Sequence, residues 1–222
     1  MMRTKNQLLN LFINFWNNMF SAKNTENSFF SIDSYEVHPI EDFVDDYVVF
    51  DLETTGLSEF SNEIIEIGAL KYKNNKLISK FNLLVKPKQR IPGQITEITG
   101  IKNEDVKNAD DISIVLPKFL AFIEDYPLIA HNSNFDMKFI LINLYRQHIK
   151  CISNNTCDTL ALARKYIPGL QNYKLETLKK HLKIDTISHR AASDCEVTNA
   201  VYQYCKNIKN KYFKFYKNKK GK

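Results

Sequence analysis

The chain has 222 residues, 44% of them hydrophobic and 25% charged, which suits one substantial soluble domain with tails and is short for two. Its net charge of +6 is unevenly spread: residues 206–222 hold eight lysines and no acid, and without them the remaining 23 bases face 25 acids, a net of −2. The body is therefore near neutral, and the basicity sits in a C-terminal tail that suits either a polyanion such as nucleic acid or a solvated helix end.

Residues 1–45 form an N-terminal extension. Within it NQLLNLFINFWNNMF has the apolar spacing of an amphipathic helix, too interrupted by asparagine for a signal sequence and too short for a membrane span. A polar linker follows. From residue 46 to 206 the pattern is that of a globular domain. YVVFDLE is dense in β-branched and aromatic residues, as a buried central strand requires. EIIEIGALKY and KLISKFNLLV read as two further strands joined by a hairpin turn at KNNK. QITEITG reads as a short helix ended by Gly100, and IVLPKFLAFIED as a longer one. PLIAH is a short buried strand, followed by a helix carrying Phe135 and Phe139, with Asn132 or Ser133 as its cap. A short strand at NTCDT, helices at LALARKY and LETLKKHL, and a last helix from about Ala191 complete the domain; 207–222 is the basic tail. The fold class is α/β, a mixed sheet with helices on both faces.

Five residues, far apart in the chain, carry the chemistry: Asp51 and Glu53 in VVFDLETTG, Asp136 in HNSNFDMKF, and His189 and Asp194 in HRAASD. Asp51 and Glu53 are two apart on a strand, so they share a face while Leu52 points to the opposite layer. The turn Thr54-Thr55-Gly56 follows at once and exposes backbone N–H groups suited to a sugar or phosphate. Asp136 falls in the first turn of a helix leaving a buried strand, and lies over the same sheet end as Asp51 if the two strands are neighbours. On one helix His189 and Asp194 would stand about 140° apart, at ~100° per residue. The reading is therefore Asp194 on the helix and His189 on the loop before it. Clustered carboxylates raise one another's pKa unless a cation is present. Oxygen ligands suit Mg²⁺ or Mn²⁺. Two such ions stabilise both attacking and leaving oxygens of a phosphodiester displacement, with a histidine as base for the water. Asp51 is assigned as the bridging ligand, Glu53 and Asp194 complete the first site, Asp136 holds the second, and His189 is the base. The four cysteines, Cys151, Cys157, Cys195 and Cys205, form no C-x-x-C pair and no finger spacing, as expected of reduced thiols in a cytoplasmic protein.

These blocks, in this order, resemble the DEDD exonuclease superfamily in its histidine-bearing DEDDh branch. They are most similar to the exonuclease domain of PolC-type DNA polymerases and to the proofreading epsilon subunit of bacterial DNA polymerase III. The match runs from about Tyr47 to Cys205 and includes VVFDLETTGL, IIEIGAL, ITEITGI, LIAHNSNFDMKFI, CDTLALAR, KLETLKKHL and HRAASDCEVT. The resemblance implies an RNase H-like fold with a five-stranded mixed sheet. It implies 3′→5′ removal of nucleotides as 5′-monophosphates from a single-stranded or frayed 3′ end of DNA, in proofreading or repair. Carried over by position, Thr54, Thr55, Gly56 and Leu57 meet the terminal nucleotide, with Leu57 as an apolar wedge. Ile98 and Thr99 line the pocket for its base, and His131, Asn132 and Phe135 support the pocket beside Asp136. Asp158 is expected to position helices rather than to bind metal. The matched core includes no polymerase domain, so the expectation is a separate polymerase subunit or a free-standing nuclease. Two other readings remain: an RNA exonuclease of the same superfamily, and a non-catalytic nucleic-acid-binding module on the same fold. Nothing is missing from the five residues that would favour the latter.

Overall fold

The computed structural model describes residues 42–185 and 190–220, with side chains as far as Tyr212. The apolar N-terminal segment and His189 lie outside the described residues. Three strands come first: β1 (Tyr47–Thr54), β2 (Ile64–Lys73) and β3 (Lys76–Leu84). Asn74 and Asn75, both in the left-handed region at φ 52° and 58°, turn the β2–β3 hairpin, the conformation that lets a two-residue loop follow the strand twist. A short helix α1 (Gly93–Thr99) ends at Gly100, whose φ of 72° closes it with a hydrogen bond to the Thr96 carbonyl. Helix α2 (Ile112–Ile123) starts at Asp111, whose carboxylate accepts from Ser113 N–H. Then come β4 (Leu128–Ala130), α3 (Ser133–Arg146), β5 (Thr156–Asp158), α4 (Thr159–Tyr166), α5 (Leu175–Leu182) and α6 (Ala191–Lys220).

The five strands lie in the order β3-β2-β1-β4-β5. β1 is antiparallel to β2 and parallel to β4, so the sheet is mixed and β1 is central. The alternation of β1 sorts its residues between two layers. Val48, Phe50 and Leu52 face a core built with Val115, Leu116, Phe119 and Ile123 of α2 and Met137, Phe139 and Ile140 of α3. Tyr47 and Val49 face the other way, against Cys195 and Tyr202 of α6. α4 and α5 close that second layer through Ala163 and Leu178, packed with Val201 and Cys205.

α6 runs without a break from Ala191 to Lys220, so the basic tail continues a core helix. Its first tail lysines are engaged: Lys206 bonds Asp45 and the Val44 carbonyl, and Lys209 bonds Asp42. The four thiols are free, with Cys195 and Cys205 buried. Among the described residues, no helix is long and apolar enough to cross a membrane.

Candidate active site

The face of β1 that carries Tyr47 and Val49 continues, two residues at a time, through Asp51 and Glu53. It is the face on which α6 packs, and Asp194 lies in the first turn of α6. Carboxylate oxygens of Asp51, Glu53 and Asp194 come within 4.8 Å of one another. Leu52 points into the opposite core and is 5% exposed.

Asp136 reaches the same strand end from the other layer. β4 pairs with β1 only at Val48 and Val49, so β1 runs on past its neighbour. The Leu52 N–H, on the side of β1 that faces β4, donates to Asp136 Oδ1 at 3.1 Å. The first turn of α3 thus supplies a carboxylate where the ladder stops. Asn132 stands at the N-cap position of α3, but not as a side-chain cap. It adopts the left-handed conformation, with φ 62° and ψ 47° and no capping hydrogen bond, and its N–H donates to Asp158 Oδ1. The same Asp158 oxygen caps α4 through Leu160 N–H. Asp158 therefore ties two helix starts together, the structural task expected of it.

Electrostatically the site is strained without a cation. Burial, then the neighbouring charges of Asp136, Glu53 and Asp194, hold Asp51 well above the usual carboxylate range. Burial followed by Asp194 pushes Glu53 to about 8. Burial also pushes Asp136 to about 8, against the opposing pull of the Leu52 N–H. Crowded oxygen ligands that resist ionising until a positive charge arrives are the donor set of a hard divalent cation, and the residues fit such an ion.

A cleft of about 280 Å³ opens at this end of the sheet, lined by Asp51, Glu53 and Asp194 together with Lys174, Glu176 and Lys179 of the α5 region. His131 also lines it. Its ring lies 3.0 Å from Thr159 Oγ1 through Nδ1 and 2.9 Å from the Tyr173 carbonyl through Nε2. Burial lowers its pKa and so favours the neutral ring, with Nε2–H donating to the Tyr173 carbonyl.

In the turn after β1, the side chains named from sequence divide into two kinds. Thr54 donates to the Gly56 carbonyl at 2.7 Å, and the Thr55 hydroxyl accepts from Glu63 N–H at 2.9 Å. A side chain on Gly56 would come within 2.7 Å of Asn62. Leu57, by contrast, projects with 86% of its surface exposed. On α1, Ile98 is 54% exposed, whereas Thr99 is buried and its hydroxyl donates to the Ile95 carbonyl. Phe135 packs against Phe139 at 5.1 Å between ring centroids.

Two residues of the site escaped the reading from sequence. Glu66 of β2 is fully buried and accepts a bidentate pair of bonds from Arg190, at 2.8 and 3.2 Å. The signal was present as one charged residue inside the apolar run EIIEIGAL, since a buried charge demands a partner.

The model of the exonuclease family matches residues 48–202. Two relatives are the PolC-type DNA polymerase III of Caldanaerobacter subterraneus, 43% identical over 158 residues, and that of Clostridium perfringens, 42% identical over 165 residues. These alignments span 71% and 74% of this chain but only 11% of each relative. Among solved structures, Exonuclease X in complex with 5′-overhanging duplex DNA is 26% identical, with a TM-score of 0.58, over 74% of this chain and 92% of that one. Escherichia coli Exonuclease I in complex with a dT13 oligonucleotide shares the fold, with a TM-score of 0.67 at 18% identity over 78% of this chain and 43% of that one. With its central β1, its mixed five-stranded sheet and its acidic cleft, the chain belongs to the exonuclease family.

Proposed function

We propose that this chain removes nucleotides from the 3′ end of DNA, in the 3′→5′ direction, as 5′-monophosphates. The observation that carries the reading is the convergence of Asp51, Glu53 and Asp194 within 4.8 Å in the lining of one cleft. Asp136 is bound to the main chain of the residue between Asp51 and Glu53. Asp51, Glu53 and Asp194 would hold one Mg²⁺ or Mn²⁺ and Asp136 a second, with Asp51 shared. Bound cations supply charge stabilisation at the attacking and leaving oxygens of the phosphodiester. His189 takes the proton of the attacking water, a task suited to a side chain that titrates near neutrality. Exposed Leu57 and Ile98 meet the terminal base through apolar contact, which tolerates any base. Thr54, Thr55 and Gly56 shape the turn beneath it, with Thr99 behind Ile98, while His131, Asn132 and Phe135 brace the side of the cleft next to Asp136. The similarity to PolC-type polymerases supports DNA as the substrate and work beside a polymerase, in proofreading or repair.

The test is digestion of 5′-end-labelled single-stranded DNA and RNA with Mg²⁺ or Mn²⁺, beside Asp51→Ala. A ladder shortening from the 3′ end in wild type, absent in the variant, is the expected result. Equal behaviour of the two proteins refutes the site, and faster loss of RNA than of DNA moves the substrate to RNA.

A further inference from the structure

The register of β1 on β2 puts two residues of β2 directly opposite the two carboxylates of β1: Gly68 faces Asp51, and Glu66 faces Glu53. Opposed residues of a pair of strands project to the same side of the sheet. Glu53 and Glu66 are thus two acids side by side on the face that α6 covers, an arrangement that is unfavourable on its own. Arg190 resolves it. Its Nη2 donates to Glu66 Oε1 at 2.8 Å and its Nε to Oε2 at 3.2 Å. Ala191 N–H, at the start of α6, donates to Oε2 at 3.2 Å, and Asn82 Nδ2 donates to Oε1 at 3.1 Å. One buried carboxylate therefore receives four hydrogen bonds, three of them from the first two residues of the segment that leads into Asp194. Gly68 makes this approach possible, because a side chain there would lie 2.5 Å from the Ala191 carbonyl carbon and 2.6 Å from Ala192 N. Cys195 Sγ completes the contact by donating to the Gly68 carbonyl at 3.4 Å.

We infer that Glu66, Arg190 and Gly68 are positioning residues: they clamp the first turn of α6 onto β2 and thereby set Asp194 at the distance from Asp51 and Glu53 that a divalent cation requires. The clamp joins strand and helix across 124 residues of sequence. Groups that hold metal ligands in place govern affinity as well as rate, and their loss lowers affinity or activity by about 10–100-fold. The inference rests on the cation site proposed above.

The experiment is calorimetric titration of Mn²⁺ into wild type, Glu66→Gln, Arg190→Gln and Gly68→Ala, with folding checked by circular dichroism and thermal melting. An amide at position 66 presents N–H groups to donors, so Glu66→Gln loses the clamp without losing much volume. Each variant is expected to bind Mn²⁺ about tenfold or more weakly than wild type and to turn over more slowly on DNA, with KM for DNA little changed. Arg190→Lys keeps the charge but not the fork, so it should recover part of the affinity lost in Arg190→Gln; it also carries the test if Glu66→Gln does not fold. Glu124→Gln, which breaks the Lys71–Glu124 pair at 2.9 Å, is the stability control and should bind Mn²⁺ as wild type does. Wild-type affinity in folded Arg190 or Glu66 variants overturns the clamp, as does an equal loss in Glu124→Gln, which would mean general softening. Wild type that binds no Mn²⁺ refutes the cation site itself, so the two failures are distinct.

Discussion

Replacing Glu53 by glutamine should make the metal-free protein more stable while lowering its affinity for metal. Glu53 has an ordinary pKa of 4.5 and is pushed to about 8 in the folded chain. At pH 7 the folded protein retains a proton that the unfolded carboxyl releases. The gap of about 2.5 pH units between 4.5 and 7, at about 1.4 kcal/mol per unit, puts the cost to folding near 3 kcal/mol. A folded pKa above the unfolded one makes stability highest below about pH 4.5 and erodes it as pH rises toward about 8. Glutamine has no proton to lose, so its advantage should be about 3 kcal/mol at pH 7 and about 1 kcal/mol at pH 5. Urea denaturation in EDTA reads this as a rise in midpoint of order 1 M at pH 7. Saturating Mn²⁺ should reverse the order of the two proteins, because the ion stabilises the form that binds it better. A Glu53→Gln protein that in EDTA is no more stable than wild type at pH 7, or whose advantage does not shrink toward pH 5, would refute a raised pKa at Glu53.

Leu57→Ala should leave stability within about 0.5 kcal/mol, since the residue is 86% exposed, yet raise KM for single-stranded DNA; an unchanged KM in steady-state digestion removes Leu57 from the substrate contact. Phe119→Ala should cost about 3–5 kcal/mol in the same denaturation assay. Phe119 is fully buried and packs at 5.8 Å, ring to ring, against both Phe50 and Phe81. A loss under about 1 kcal/mol would mean that the α2 layer is not the packed core it forms here.

The parts of the site that depend on local periodicity were legible in the sequence. The shared face of Asp51 and Glu53 follows from the two-residue repeat of a strand, and the first-turn places of Asp136 and Asp194 follow from where their helices begin. What was not legible depends on register and on contacts between distant segments. That Glu66 stands opposite Glu53 and Gly68 opposite Asp51 is set by the pairing of β1 with β2, and Arg190 is brought to Glu66 only when α6 folds back over the sheet. Asn132 shows a smaller gap of the same kind. Its residue type suited a side-chain cap, but the chain turns left-handed there and its N–H goes to Asp158 instead. The motif likewise did not specify the partners of the Thr54 and Thr55 hydroxyls, which are the Gly56 carbonyl and the Glu63 N–H.

The hydrogen bond from Leu52 N–H to Asp136 bears on how an inactive form of this protein should be made. β4 is too short to pair with the end of β1, and the Asp136 carboxylate takes the place of the missing strand. An Asp136→Ala change would remove that acceptor and leave a buried N–H unpaired, at a cost of about 1–3 kcal/mol, so its loss of activity would mix chemistry with a loosened strand end. Glu53→Gln leaves the main chain of β1 untouched. The four acids are thus unequal as sites for a dead enzyme that must keep its shape, and a substrate-trapping variant for structural work is better built at Glu53 than at Asp136.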